Sequence, residues 1–281
     1  MSGYFQRDGI NTVSSVRFSP EELRRSPGAG QELSRILSAI PGVSSAGEIS
    51  QDLMVRGGSP VENEFIIDNI PMPGVAHFYQ NTTGISLRTL WKSAGFTQTS
   101  VSYSIKQENS LSTRSGDESV LADVVVLNRD NEKLKNILAI HIIAGLEFML
   151  TGDTRLTLEV FDKQYDRAPL QPAVNDFGDP RFVLDRADEF YRTLNSNGEA
   201  WSRGVELLIQ KKLAVNVYGL VSATYFRSRY RDYTGIWQNR DSDNRILFNV
   251  IGGYRPNNRW EVSARWSFPG GRPYPVQYGV V

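Results

Sequence analysis

Cysteine is missing from all 281 residues, and this absence excludes disulfide bonds and thiolate metal sites. Histidine is nearly missing, since His77 and His141 are the only two. They lie on different segments with no carboxylate at metal-ligand spacing, so we expect neither a metal site nor histidine-dependent catalysis. Lys+Arg and Asp+Glu both number 31, and the resulting zero net charge provides no general attraction to nucleic acid.

A long uninterrupted hydrophobic run is also lacking. The longest apolar stretch, residues 137–150, contains His141 and Glu147 and is shorter than the ~20 residues that a spanning helix needs. The beginning, Met1 to Arg7, shows neither the basic nor the apolar region of a secretory signal. If this protein lies in a membrane, we expect it to cross as β-strands, because only helices and closed barrels satisfy their backbone polar groups in lipid.

The first part of the chain predicts a small α/β unit. Ser19-Pro20-Glu21-Glu22 is typical of a helix start, and apolar residues recur at helical spacing from Leu33 to Ile40 before Pro41-Gly42 ends the segment. Two β-type runs follow, residues 51–56 and 64–70, joined through the turn at 57–60. We expect these two runs to form a small sheet that carries one helix.

From Ile85 onward the pattern alternates with a period of two, which is typical of β-strands. Residues 140–150 and 156–160 flank the turn signal at 151–154 and predict a hairpin. Two more hairpins are predicted: residues 205–209 with 215–225 through a short Lys211-Lys212 connection, and residues 246–250 with 260–268 through a turn at 256–258.

Connection lengths give a second signal, because tight turns alternate with long polar connections at residues 165–200 and 229–244. Short turns at one end and long loops at the other are typical of outer-membrane barrels, whose strands are apolar outward and polar inward. Aromatic residues near strand ends would suit interfacial girdles: Trp201, Tyr225, Tyr254, Trp260 and Trp266. A soluble β-sandwich or lipocalin-like barrel shows the same alternation and stays open as an alternative.

The first part also contains four short motifs in order. They are residues 18–23 (FSPEEL), 33–37 with 41–43 (LSRIL and PGV), 55–58 (VRGG) and 65–71 (FIIDNIP). This series resembles the plug domain of TonB-dependent outer-membrane receptors. The later stretches 202–207 (SRGVEL), 260–263 (WEVS) and 270–274 (GGRPY) are similar to barrel strands of the same family.

The resemblance implies a mainly β fold, with a shortened plug domain over residues 1–83 and a partial antiparallel transmembrane β-barrel over residues 84–281. The family barrel belongs to the plugged 22-stranded class, whereas the pattern here provides roughly nine strands. We therefore expect an incomplete receptor. No segment matching a TonB-contact box is visible before the plug, and the chain does not end in an aromatic strand.

The resemblance further implies a function. It predicts a non-enzymatic receptor in the cell outer membrane that takes up a scarce nutrient such as a siderophore, a cobalamin or an oligosaccharide. Its implied partners are a TonB-type energy-coupling protein, the small nutrient ligand and outer-membrane lipid, with no cofactor and no nucleic acid. The alternatives are a soluble β-rich binding protein and a receptor fragment without function.

Four residues match the family's plug motif: Arg56, Gly57, Gly58 and Asp68. We expect a structural role for them, because glycine turns and buried ion pairs organise small folds without touching a ligand. Two acidic stretches, 175–179 and 241–244, resemble calcium-binding loops but lack the full ligand spacing of one. The sequence predicts no catalytic residue and no metal site, and it does not identify the ligand-binding residues.

Overall fold

A computed structural model gives the fold of the chain. It describes residues 16, 18, 20–28, 33–45, 53–63, 65–67, 70–72, 134–170, 194–257 and 259–273. The described residues form a short N-terminal unit of small elements and one large antiparallel sheet. The expected residues Asp68 and His77 and the stretch 175–179 lie outside the described residues.

The N-terminal unit begins with two short helices, α1 at Pro20–Arg25 and α2 at Leu33–Leu37. Pro20 is the first residue of α1, as its fixed backbone angle and missing N–H group predict. Strands β1 (Val43–Ser45) and β2 (Leu53–Val55) follow, then a 3₁₀ turn at Pro60–Glu62 and strands β3 (Phe65–Ile67) and β4 (Ile70–Met72).

The strand pairing of this unit corrects the sequence-based expectation. Strand β2 pairs with β1, with Val55 opposite Val43, and β3 pairs with β4, so the runs at 51–56 and 64–70 belong to two separate two-stranded sheets. The helix ends at Leu37, before the predicted end at Pro41-Gly42. Gly42 takes a left-handed backbone conformation with φ 71°, and the chain enters β1 directly after it.

The large sheet is antiparallel and has seven strands in the described part of the chain. Its order is β11-β10-β8-β7-β6-β5, with the short β9 paired to β8. The strands are β5 (Leu138–Thr151), β6 (Thr154–Leu170), β7 (Asn195–Val215), β8 (Val217–Arg231), β9 (Trp237–Asn239), β10 (Ile246–Tyr254) and β11 (Val262–Phe268). The expected mainly β, antiparallel fold is confirmed.

Short and long connections alternate along the sheet. Tight turns join β5 to β6, β7 to β8 and β10 to β11, while longer connections follow β6 and β8. Two predicted boundaries were wrong: β6 extends to Leu170 and β7 begins at Asn195, so the first long connection is shorter than 165–200. Strand β7 also runs through Lys211-Lys212, and the turn lies at Asn216.

The two faces of the sheet differ in chemistry. One face carries exposed apolar side chains at alternate positions, among them Leu146, Leu158, Val205, Ile246 and Trp266. Register places such residues side by side on neighbouring strands, for example Leu146 opposite Leu158 and Val205 opposite Tyr225. We call this face the outer face, and the opposite face, on which the N-terminal unit lies, the inner face.

The inner face is mixed rather than purely polar, which corrects the expected polar interior. In the described part of the chain it carries three buried apolar clusters: Tyr165 with Ala168, Ala200 and Tyr230; Phe161 with Phe226 and Leu247; and Leu208 with Leu220, Ile251 and Ala39. The third cluster includes Ala39, beyond the end of α2, and packs against Val16 and Phe18. The N-terminal unit therefore docks on apolar patches separated by polar rows.

The apolar span of the outer face has a defined height. On β8 it runs from Val217 to Tyr225, about 27 Å along the strand at ~3.4 Å per residue. At a strand tilt of ~40° this is about 21 Å, close to the ~25 Å apolar band of outer-membrane barrels. Tyr225 is 54% exposed and Tyr254 52% exposed, and they lie at opposite ends of this band. No helix in the described ranges is long and apolar enough to span a membrane.

Candidate functional site

A buried arginine lies at the centre of the contact between the N-terminal unit and the sheet. The Nε and Nη2 atoms of Arg56 donate hydrogen bonds to the two carboxylate oxygens of Glu206, at 2.9 and 2.6 Å. Nη2 also donates to Glu159 at 2.7 Å, and the guanidinium lies 5.1 Å from the ring centre of Phe161. The Arg56 side chain is 3% exposed, so this charge-assisted fork is shielded from solvent.

The two carboxylates come from neighbouring strands. Glu159 of β6 and Glu206 of β7 are directly opposite each other in the sheet register and point to the inner face. Like charges placed opposite each other on neighbouring strands are destabilising. The guanidinium of Arg56 compensates for this repulsion, so the pair of carboxylates forms a binding site for one cation from the N-terminal unit.

The backbone at the end of β2 positions Arg56. Arg56 and Gly57 both take left-handed conformations, with φ 51° and 66°, and the Arg56 N–H donates to the carbonyl oxygen of Gly42 at 2.7 Å. A Cβ atom at Gly57 would lie 2.6 Å from the Ser202 hydroxyl and 2.8 Å from the Ser228 Cβ. Gly57 is therefore required both for the turn and for the close approach of its backbone to the sheet.

A second charged cluster forms around Glu62 at the 3₁₀ turn. Lys163 and Tyr165 of β6 donate to its Oε2 atom, the Ser59 N–H donates to Oε1 at 2.7 Å, and Arg240 lies 3.6 Å from Oε1. Burial alone would raise the pKa of Glu62, but the charges of Lys163 and Arg240 and these hydrogen bonds outweigh it and lower the pKa to about 2. Glu62 is thus held as a carboxylate.

Hydroxyl groups on the inner face of β8 bind the backbone of the N-terminal unit at alternate positions. Ser222 donates to the carbonyl oxygen of Ala39 at 2.7 Å, Thr224 accepts from the N–H of Gly42 at 2.7 Å, and Ser228 donates to the carbonyl oxygen of Gly57 at 2.9 Å. We call these three residues the hydroxyl ladder. It fixes the N-terminal unit along the direction of one strand.

The ends of the unit are also fixed by charge. Glu22 of α1 forms an ion pair with Lys212 at 2.7 Å, and Arg25 forms one with Glu261 at 3.0 Å. Lys212 and Glu261 lie close to the short turns, whereas Glu62 lies near the long connections. The N-terminal unit therefore runs along the inner face from the short-turn end to the long-connection end.

The long connection between β8 and β10 folds back over the inner face. The Ser242 hydroxyl donates to the carbonyl oxygen of Gly57 at 2.7 Å, and Asp243 accepts from the Ser228 N–H at 2.8 Å. Arg240 lies 5.2 Å from the ring centre of Tyr165. Although residues 241–244 resemble a calcium-binding loop in sequence, Ser242 holds the N-terminal unit and Asp243 fixes the connection to β8. The described part of the chain has no group of three or more candidate metal-binding side chains.

Three of the four residues that the sequence pointed to lie together in this contact. Arg56 and Gly57 bind β6, β7 and β8 as described, and a Cβ atom at Gly58 would lie 2.9 Å from both Glu62 and Lys163. His141 lies on β5, edge-on to Phe161 at 6.4 Å, and so it borders the cluster around Arg56, which contacts the same ring.

Sequence reasoning missed the residues of the sheet that complete the site. They are Glu159, Lys163, Ser202, Glu206, Ser222, Thr224, Ser228 and Arg240. Their only signal is that they are polar residues on the face opposite the apolar one. The described charges are mostly paired with one another, an arrangement that holds one element against another.

Comparison with known proteins identifies the sheet. The family model for "TonB dependent receptor-like, beta-barrel" matches residues 75–279, which is most of the chain. No curated protein and no solved structure matches the chain.

Proposed function

We propose a nutrient-uptake function for this chain, which belongs to the TonB-dependent receptor family. Members of this family are transporters of the outer membrane. Within that class, we propose that the chain binds a scarce nutrient such as a siderophore, a cobalamin or an oligosaccharide, and that a TonB-type protein supplies the energy for its uptake.

The observation that carries the proposal is the outer face combined with the family match. An exposed band of apolar side chains about 21 Å high would be unfavourable in water and is favourable in a bilayer. This band counts against the alternative of a soluble β-rich binding protein. The inner face provides the second support, because its charged and hydroxyl groups bind a separate element of the same chain.

We propose that the N-terminal unit, within residues 1–83, acts as the plug of the partial barrel formed by residues 84–281. Arg56 holds the unit to two strands at once, and the hydroxyl ladder fixes its backbone to a third. Glu62 connects the same unit to the long connection through Arg240. A ligand that moves this connection would therefore weaken the contacts that hold the plug.

Two measurements test the proposal. The chain refolded into detergent should be β-rich by circular dichroism and should migrate differently on gels before and after boiling, because closed barrels resist denaturation. Cells that express the chain in place of their own receptors should then accumulate a labelled ferric siderophore, cobalamin or maltodextrin only when TonB is present. A barrel that accumulates none of the three classes under either condition would contradict the uptake function.

A further inference from the structure

The outer face continues beyond the apolar band as a cluster of arginines at the long-connection end. Arg203 and Arg227 are directly opposite each other on β7 and β8. They lie two residues from Val205 and Tyr225, on the side of the long connections. Arg229 follows on the same face of β8, opposite Trp201. Because side chains alternate between the two faces of a strand, all three arginines share the outer face with the apolar band.

A fourth arginine belongs to the same cluster. Arg227 and Arg245 lie 3.3 and 3.7 Å from the same carboxylate oxygen of Asp243, which is 0% exposed. We call Arg203, Arg227, Arg229 and Arg245 the arginine patch. Asp162 neutralises Arg203 at 2.9 Å and Asp243 serves two members, so four cations face two carboxylates and the patch keeps a surplus of positive charge.

Two members of the patch are exposed. The Arg203 and Arg245 side chains are 53% and 54% exposed, and surface ion pairs of this kind are weak. Arg227 and Arg229 are partly buried, and Arg227 also donates to Asn239 at 3.1 Å, so they lie behind the two exposed members. Guanidinium groups with donors to spare form forked hydrogen bonds with phosphate oxygens.

The height of the patch indicates which phosphates it meets. Arg227 lies two residues beyond Tyr225, which is about 7 Å along the strand and about 5 Å of height at the tilt used above. The polar headgroup layer extends roughly 5 to 8 Å beyond the hydrocarbon core on each side. The guanidinium groups therefore lie at the level of lipid headgroups.

Aromatic residues beside the patch also indicate a position at the level of the lipid headgroups. Trp201 and Trp237 have ring centres 6.2 Å apart, and the Arg203 guanidinium lies 4.9 Å from the Trp201 ring. Tryptophan is enriched at the boundary between membrane and water. Long loops of outer-membrane barrels are extracellular, so this boundary belongs to the outer leaflet.

We propose that the arginine patch is a binding site for the phosphate groups of an outer-leaflet membrane lipid. The proposal rests on the proposed function, because it requires the apolar band to lie in an outer membrane. The patch holds the lipid by charge and forked hydrogen bonds while the lipid chains cover the apolar band below it.

The test uses the full chain refolded into phosphatidylcholine vesicles that contain either a bisphosphorylated glycolipid or the same glycolipid without its phosphates. Retention of each glycolipid by the purified protein is measured by mass spectrometry, with heat-dependent gel migration as the check on insertion. The variant is Arg203→Gln with Arg229→Gln, because Arg227 and Arg245 stay in place to neutralise the buried Asp243. The matched control is Arg255→Gln with Arg259→Gln at the short-turn end.

The phosphorylated glycolipid should be retained and the dephosphorylated one lost. The Arg203/Arg229 variant should bind the phosphorylated form at least tenfold more weakly, since each basic residue near an anionic surface contributes roughly fivefold, while the control pair stays unchanged. Equal retention of both glycolipids, or an equal loss of binding in the Arg255/Arg259 control variant, would overturn the lipid site and leave the membrane function standing. Binding of inorganic phosphate as tight as that of the glycolipid would overturn the assignment to lipid, and failure to insert into any vesicle would overturn the membrane function and the lipid site together.

Discussion

Replacement of Arg56 by glutamine should release the N-terminal unit from the sheet. The substitution removes the charge that lies between Glu159 and Glu206 and leaves two buried carboxylates facing each other. Removing one partner of a buried ion pair costs about 3 to 5 kcal/mol. The upper part of this range is expected here, because Arg56 is 3% exposed and makes three hydrogen bonds that glutamine cannot reproduce.

Native-state proteolysis measures this release. When opening and closing are fast, the cleavage rate within residues 20–62 follows the population of the released form. A loss of about 4 to 5 kcal/mol should raise that rate by roughly three orders of magnitude. Arg56→Lys should lose part of the stability as well, because an ammonium group cannot form the fork with Glu206.

A double-mutant cycle separates this ion pair from a general effect on packing. Combined with Glu206→Gln, the Arg56→Gln change should cost less than on its own, since one of the two facing charges is then absent, and the coupling should be about 1 to 3 kcal/mol. Glu159→Gln should show a smaller coupling, because Glu159 accepts one of the three bonds. The reasoning fails if Arg56→Gln costs less than about 1 kcal/mol and shows no coupling with Glu206.

Three further predictions concern the turn, the pH dependence and the outer face. Gly57→Ala should open the N-terminal unit in the same proteolysis assay, because its φ of 66° and its contacts leave no room for a methyl group, while Gly152→Ala, which would meet nothing within 4 Å, should be neutral. Because the pKa of Glu62 is depressed, its contribution to stability is complete above the ordinary pKa of 4.5 and is lost as the pH falls toward about 2. Glu62→Gln should abolish this part of the acid dependence, measured by denaturant unfolding at several pH values. An unchanged pH profile in the variant would contradict this role of Glu62. Leu146→Arg, within the apolar band, should lower the free energy of unfolding in lipid by about 2 to 4 kcal/mol, whereas Gln164→Arg, beyond the band, should change it by nearly zero. Equal losses for the two variants in the same denaturant titration would argue against a membrane environment.

Much of the sheet could be predicted from the sequence because each hairpin is local. The alternation on either side of the turn at 151–154 fixes both the pairing of β5 with β6 and the face that each side chain occupies. Pro20 likewise marks the start of α1 within its own few residues. Signals of this kind need no knowledge of distant parts of the chain.

Two features depended on information that local patterns lack. Asp166 and Arg167 suggested a loop, yet β6 continues through them, because a strand that extends beyond the bilayer carries polar residues on both faces. The partners of Arg56 could not be identified either, because they are separated from it by more than one hundred residues. Many carboxylates in the sequence were equally plausible partners, and only the three-dimensional packing of the sheet selects Glu159 and Glu206.

The order of contacts on the inner face, across β6, β7 and β8, has a mechanical consequence. From the short turns upward, the sheet holds Glu22, then Ala39, then Gly42, then Gly57, and finally Glu62, in the same order as the chain itself. A pull on the N-terminal end, directed out through the short-turn side, would load these contacts one after another rather than all at once. The unit would therefore peel away at low force, and its release could stop at the Arg56 ion pair, leaving the Glu62 end anchored.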